Sequence, residues 1–531
     1  MSDEPSVVIA VDVGSTSARA AMFDARGVRL ARSEHGFAVA RPLPDHAEHS
    51  SEEIWRAVCA ATRGALTQAG IPSTRVAGIA FDATCSLALL DDEGRAVTVS
   101  TTGRDEWNVV MWADHRAIVE AEEITATGHR ALAYVGGTMS PEMELPKLLW
   151  LKRHLPQAWA RYGLALDLTD FLTWRASGRI ALSACTITCK WTYLNHEEPG
   201  WQSDLLGAIG LADLPARAQL PQRPFPIGSV AGKPSAAAAA ELGLTEECVV
   251  GVGLIDAHAG GLGLLGGFAT DDLNARLAMI AGTSTCHMAV SPEARHVPGV
   301  WGPYFDAMIP GLWLNEGGQS ATGALLDHIL DWHAEGRTLG PQRHQRVLAR
   351  IDELLAAEGP AMAQDLIVLP DFHGNRSPLA DPLSRGTIHG LTLDSSFDSL
   401  ARLYYATAVG IALGTRHIVE ALNAKGYDIR YLHLTGGHVA NPLLVRLYAD
   451  ATDCTFELPD EEDSVLLGTA AVAAAAAGLH GSLVAAARAM RRAGRRIAPA
   501  IATRAHFAEQ YRKFLLMHEQ QRAIRAPAPG R

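Results

Sequence analysis

No stretch of the 531-residue chain holds about 20 uninterrupted apolar residues, so no membrane-spanning helix is expected. A cationic surplus is missing as well: 46 Lys and Arg stand against 58 Asp and Glu, a formal net charge of −12. That balance argues against a nucleic-acid partner, whose phosphates call for a basic face. Cysteine is scarce, seven residues at scattered spacing, which points to reduced thiols in a cytoplasm and away from a disulfide framework. The start, MSDEPSVVIAVDVGST, has no cationic stretch followed by an apolar run and a cleavage site, so a cytoplasmic protein without a leader is expected. The H-E-x-x-H and G-x-S-x-G motifs are absent. GSVAGKPS (228–235) is one residue short of a P-loop, and Pro234 stands where that loop places a magnesium-binding hydroxyl. Cys185 and Cys189 in SACTITCKW have neither a second pair nor a His at zinc-like spacing, so they are expected to be buried thiols.

What is present suits a globular α/β protein of two or three domains, 48% hydrophobic and 20% charged. SVVIAVDVGSTSARAAMFDARGVRLARSEH reads as strand, small-residue turn, strand, turn and strand. VAGIAFDATCSLALLDDEGRAV repeats strand, polar corner, strand. EEIWRAVCAATRGALTQAG between them has helical periodicity and stops at Gly70, and PKLLWLKRHLPQAWARY is a helix broken near Pro156. After residue 270 the design returns: RLAMIAGTSTCHMAVSPEA is again strand, Gly-Thr-Ser turn, strand. RYLHLTGGHVANPLLVRLYADATDCTFELP gives strand, double-Gly turn, helix and strand, and SVLLGTAAVAAAAAGL is an Ala-rich helix. The echo suggests two related halves, with the glycine-rich segment 259–270 crossing between them. Gly261, Gly263 and Gly266 match G-x-G-x-x-G in form but follow no clear strand, which favours a hinge or close helix packing over a dinucleotide site. The closing RAPAPGR reads as a loose tail.

The turns DVGSTSAR (12–19) and AGTST (281–285) carry the chemistry. Gly beside Ser and Thr at a strand-to-strand corner leaves N–H groups and hydroxyls to meet phosphate oxygens, and Asp12 at a strand end can supply a carboxylate to magnesium. One such turn in each half points to a nucleotide in a cleft between the halves. A lone acid, Asp256, sits in the apolar run GVGLIDAHAGGLGLLGG. It can accept a proton in a closing cleft or cap the helix that follows. In MWADHRA, Asp114 and Arg116 read as a structural ion pair near Trp112 and His115.

Five motifs in order then resemble the FGGY carbohydrate kinases, over about residues 6–480: VDVGSTSAR, KLLWLKRH, AGTST, the signature SRGTIHGLTLDSSFDSLARLYYATAVGIALGTRHIVEAL, and LTGGHVANPLLVRLYADATD. Glu142, Glu144 and Ser399 depart from the usual residue types of the two signatures. The resemblance implies two actin-like, ribonuclease-H-like domains, 1–262 and 263–531, with ATP and Mg2+ in the cleft. It makes Asp256 the general base, with Asp12 and Asp256 holding the metal. Gly14, Ser15, Thr16, Ser17, Gly282, Thr283 and Ser284 would cradle phosphates, with Arg19 near the transferred group. Gly436, Gly437 and Asn441 would lie near the adenosine. The family's glycerol kinases carry Arg-Glu at the corner where this chain has Thr84-Cys85; FDATCS resembles the D-ribulose kinases. By that likeness Ala83, Thr84, Cys85 and Ser86 shape a ketopentose pocket, and Lys190, Asp256 and Glu316 face the sugar. Taken from the residues alone, Lys190 has the alternative reading of a surface ammonium and Glu316 that of a helix N-terminal acid. The expected reaction is ATP-dependent phosphorylation of the terminal hydroxyl of D-ribulose. L-ribulose, D-xylulose and ribitol are the rivals within the class, and a non-catalytic sugar sensor the rival outside it. The expected partners are the sugar and ATP, with homodimer formation left open.

Overall fold

The structure is a computed structural model that describes residues 6–461, 463–492 and 494–525. Residues 1–5 of the chain's start and 526–531 of the expected tail lie outside the described residues. Two seven-stranded mixed sheets lie at the centres of two α/β domains.

The first domain opens with β1 (Val7–Val13), β2 (Ser17–Asp24) and β3 (Arg29–Gly36), the strand–turn–strand–turn–strand pattern read from sequence. Every residue of β1 is buried, as suits a strand covered on both faces. Helix α1 (Ser51–Ala69) starts where the Ser50 side chain accepts from Glu53 N and ends at Gly70, which takes the left-handed conformation. β4 (Val76–Ala83) runs parallel to β1 and sets Asp82 beside Asp12 and Ala83 beside Val13. After the polar corner, β5 (Leu87–Leu90) leaves for a separate four-stranded sheet. Helix α2 (Glu144–His154) breaks at Leu155, immediately before Pro156, because proline has no N–H to continue the ladder. Helix α3 (Ala184–Lys190), β6 (Val230–Gly232), β7 (Val249–Gly251) and β8 (Leu254–Ile255) follow. The sheet order is β3-β2-β1-β4-β7-β6, with β8 on the far end of β4.

Helix α4 (Asp256–Leu265) leads into the second domain, which begins with β9 (Arg276–Ala281) and β10 (Thr285–Ser291). Then come β11 (Trp301–Phe305), β12 (Trp313–Gln319), the long helix α5 (Phe397–Asn423), β13 (Tyr431–Thr435), α6 (Pro442–Thr452) and β14 (Thr455–Leu458). Helices α7 (Ser464–Ala476) and α8 (Leu483–Met490) precede the edge strand β15 (Arg495–Ile497). The second sheet runs β11-β12-β10-β9-β13-β14-β15.

Late as it is in the chain, α7 packs on β1 and β4, and its Leu466, Ala470 and Val472 belong to the first core. Glycines on both helices also let α4 and α7 approach closely. A Cβ on Gly263 would lie 2.1 Å from the Ser464 carbonyl oxygen, and one on Gly468 would lie 2.0 Å from that of Ala259. Neither approach leaves room for a side chain, so the glycine run serves close helix packing between α4 and α7.

Candidate active site

Three strand ends of the first sheet meet at one level. Asp12 pairs in register with Asp82, Leu254 with Asp82, Ile255 with Ala83, and Thr84 N donates to the Val13 carbonyl. The turn 14–17, the corner 83–86 and Asp256 therefore lie side by side at the carboxyl edge, where open α/β sheets bind ligands. Asp12 and Asp82 are buried, and Asp256 is partly open to the cleft.

This cluster is short of positive charge. Arg19 Nη1 donates to Asp12 Oδ2 at 2.7 Å, and Thr469 Oγ1 from α7 donates to Asp82 Oδ2. Asp82 Oδ1 is buried with no partner. Burial, then the charge of Asp12, pushes the Asp256 pKa up to about 7. The same two causes hold Asp82 well above the usual carboxylate range, and burial raises Asp12. Carboxylates that raise one another, with an oxygen left over, form a donor set suited to a hard divalent cation. Asp82 lay inside the FDATCS motif, yet nothing local marked it as a site residue; its role appears only once the parallel register sets it against Asp12. Asp256 is the first residue of α4, and its Oδ1 accepts from Ala257 N at 2.7 Å, so it also contributes at the helix terminus.

The turn residues divide by accessibility. Thr16 is exposed, Gly14 and Ser15 are partly so, and Ser17 is buried with its hydroxyl donating to Glu34 at 2.8 Å. Trp112 ties the turn to the corner: its Nε1 donates to Ser15 Oγ at 2.9 Å and its backbone N to Ser86 Oγ at 3.0 Å. The Asp114–Arg116 pair is structural, buried at 2.7 Å with Glu48 as a second carboxylate partner.

Facing this edge, the second sheet brings two further turns together. β9 and β13 are parallel with Ile280 beside Thr435, so Gly282, Thr283 and Ser284 neighbour Gly436 and Gly437. Gly436 has φ +92°, and a Cβ there would lie 2.4 Å from the Ala281 carbonyl oxygen, so only glycine fits. Thr283 is exposed, and Gly282 and Ser284 partly so. Asn441 caps α6, its Oδ1 accepting from Leu444 N at 3.2 Å.

Between the domains lies a buried charged cluster. Lys190 ends α3, its Nζ 4.5 Å from the centre of the Trp301 ring; it is not a surface ammonium. Burial opposes its charge, but Cys85, Glu316 and Tyr304 outweigh that and hold its pKa well above the ordinary value. Glu316 lies within strand β12, not at a helix start. Burial pushes against its charge, but Lys190, His258 and Arg376 keep it below the usual carboxylate range. Burial pushes the Cys85 thiol up to about 12, so it is neutral at the pocket wall.

Sequence reasoning did not find Arg376. Its guanidinium lies 4.2 Å from the centre of the same Trp301 ring and reaches Glu316 Oε1 at 3.2 Å and Glu142 at 4.0 Å. Against the cost of burial, Arg376 and then His115 hold Glu142 down at about 2. The departure at Glu142 thus places an acid across from a cation of the other domain. Glu144 pairs internally with Lys147 at 3.2 Å, both fully buried, and Ser399 donates to the Asp394 carbonyl at an exposed helix start.

A small-residue turn at a strand end of each of two α/β domains, with buried carboxylates and a charged cluster nearby, suits a phosphotransferase acting on a polar small molecule. The chain belongs to the FGGY family of carbohydrate kinases. The family's N-terminal domain matches residues 7–263 and its C-terminal domain residues 277–477. It is 45% identical over 535 residues to an FGGY carbohydrate kinase domain-containing protein of Danio rerio, covering 97% of each chain. A D-ribulokinase of Saccharomyces cerevisiae is 37% identical over 516 residues, 89% of this chain and 72% of that one. The fold superposes on the crystal structure of xylulose kinase from Rhodospirillum rubrum with a TM-score of 0.80 at 23% identity, covering 98% and 99% of the two chains. The protein is a carbohydrate kinase of a family that takes its phosphoryl group from ATP. Among the described residues no helix is long and apolar enough to cross a membrane.

Proposed function

We propose that the chain phosphorylates the terminal primary hydroxyl of D-ribulose, giving D-ribulose 5-phosphate. The observation that carries this is the convergence of Lys190, Glu316, Asp256 and the neutral Cys85 on one interdomain pocket. The likeness to a yeast protein named D-ribulokinase supports the sugar. Lys190 and Glu316 donate to and accept from sugar hydroxyls, and a site built on such bonds rejects analogues that lack them. Asp256 accepts the hydroxyl proton as the oxygen attacks the γ-phosphate. The turns 14–17 and 282–284 and Arg19 receive phosphate oxygens, and Gly436, Gly437 and Asn441 border the adenosine. Asp12, Asp82 and Asp256 would hold Mg2+, which supplies charge neutralisation to the phosphates when bound. A cytoplasmic location belongs to the same reading and is supported by seven unpaired cysteines.

The test is kcat/KM on D-ribulose, L-ribulose, D-xylulose and ribitol, read by coupled ADP release. D-ribulose is expected to rank first; any other acceptor turned over about tenfold better, a difference of about 1.4 kcal/mol, would replace it.

The corner gives a second prediction. Cys85→Ser keeps volume and neutrality, and most of kcat is expected to survive. Cys85→Glu adds bulk and an unpaired charge, and is expected to raise the sugar KM far more than the ATP KM. A Ser variant without activity would give the thiol a chemical role. An unchanged sugar KM in the Glu variant would move the corner out of the pocket.

A further inference from the structure

The helix that begins at Asp256 carries His258 to within 3.7 Å of Glu316, and there it meets two cysteines. Cys185 and Cys189, four residues apart on α3, and His258 place two sulfurs and an imidazole nitrogen within 4.8 Å of one another. All three residues are buried. Cys189 Sγ lies 3.4 Å from His258 Nε2, and His258 Nε2 lies 3.7 Å from Glu316 Oε2. That carboxylate oxygen is itself buried and has no hydrogen-bond partner. The sequence offered no His near the two cysteines, and the expectation of plain buried thiols omitted this neighbour; the fold supplies it from some 70 residues away.

We infer that Cys185, Cys189, His258 and Glu316 form a site for a thiophilic divalent cation, with Zn2+ as the type, and that filling it inhibits the kinase. Metal–ligand bonds of about 2.0–2.3 Å in a tetrahedron set neighbouring ligand atoms roughly 3.4–3.8 Å apart. The Cys189–His258 and His258–Glu316 distances already fall in that range. The three ligand atoms within 4.8 Å of one another are those of Cys185, Cys189 and His258, and Glu316 joins them through its contact with His258 by a turn of its side chain. The donor set of two thiolates, an imidazole and a carboxylate is soft, unlike the all-oxygen cluster at Asp12, Asp82 and Asp256, so the two sites select different ions. Binding deprotonates two thiols and releases both protons to solvent, while the cation bonds to both sulfurs, His258 Nε2 and Glu316 Oε2.

The ligands come from both sides of the cleft. Cys185, Cys189 and His258 belong to the first domain, and Glu316 to β12 of the second. A bound cation therefore ties the domains together and withdraws Glu316 from the substrate. This inhibitory consequence rests on the reading of Glu316 as a sugar contact; the binding itself does not.

The experiment uses the full-length protein freed of trace metal and assayed in the presence of Mg2+. Zinc is titrated in competition with a chromophoric chelator, and Co2+ is used to read thiolate-to-metal charge-transfer absorption. A single tight equivalent with the cobalt–thiolate spectrum is expected in the wild type. Cys185→Ser and Cys189→Ser are each expected to lose the charge-transfer intensity of one thiolate and to weaken zinc binding roughly 100-fold or more. Their kcat in chelator should stay close to wild type, which also shows that they fold. Zinc should raise the wild-type sugar KM, a chelator should reverse this, and the Ser variants should be insensitive. No stoichiometric binding, or equal binding by the Ser variants, overturns the site. Thiolate-ligated zinc that leaves the sugar KM unchanged overturns the inhibition and removes Glu316 from the sugar, while the ranking of sugars tests the substrate independently.

Discussion

Asp256→Asn is expected to abolish sugar phosphorylation while leaving the protein folded. Loss of a general base alone lowers kcat by about 10²–10⁴-fold, and disturbing a metal ligand adds to that. The amide oxygen can still accept from Ala257 N, so the first turn of α4 keeps its bond. Removing the charge also relieves repulsion on Asp82, so the thermal midpoint should not fall. A linked pH profile sharpens the test. The working form is the carboxylate, and burial has pushed its pKa up to about 7. Wild-type kcat/KM should therefore fall as pH drops through about 7 and level off above it. A cation beside the group favours the charged form, so more Mg2+ should move the acid limb to lower pH. An Asn variant that keeps a tenth of kcat requires another base, and an acid limb indifferent to Mg2+ separates Asp256 from the metal.

How far these residues could be read without coordinates depends on the range over which each is determined. The small-residue turns at 14–17 and 282–284 are local: an apolar strand, a corner and a second strand are written in consecutive residues. Asp256 stood out because a charge within an apolar run needs a reason. The close packing of α4 was legible too, since a glycine run in a helical stretch calls for either a hinge or a near neighbour. Its partner was not, because α7 lies two hundred residues downstream and returns to the first core, where Thr469 meets Asp82. Asp82 was inside a quoted segment and Glu142 was named as a departure from the signature, but their neighbours are fixed by sheet register and by the meeting of two domains. Arg376 lies in an irregular segment with no periodicity to read, and only the fold brings it over Trp301. The same holds for the cysteines of α3 and His258. Local chemistry reached the catalytic edge; the pocket wall, built from both halves of the chain, needed the tertiary structure.

Arg376→Met tests that wall. Arg376 is a buried cation whose guanidinium reaches Glu316 and Glu142 while lying over Trp301, a ring that Lys190 also contacts. Methionine keeps much of the apolar contact with the ring and removes the charge and all donors. Glu316 then has only Lys190 to offset its burial, because burial pushes the His258 pKa down to about 4 and leaves that ring neutral. Leaving a buried charged group short of a partner costs about 1–3 kcal/mol, which corresponds to roughly 5- to 150-fold in sugar kcat/KM. The ATP KM should change little, because the phosphate turns sit on other strand ends. Arg376→Lys keeps a charge but offers a single point in place of a planar fork, and should recover part of the loss and not all of it. The partial rescue distinguishes a positioning role from simple destabilisation, which both variants would share. If the Met variant holds sugar kcat/KM within about twofold of wild type, below about 0.4 kcal/mol, then Lys190 alone orients Glu316, and Arg376 serves the closed contact with Glu142 and Trp301 without tuning the pocket.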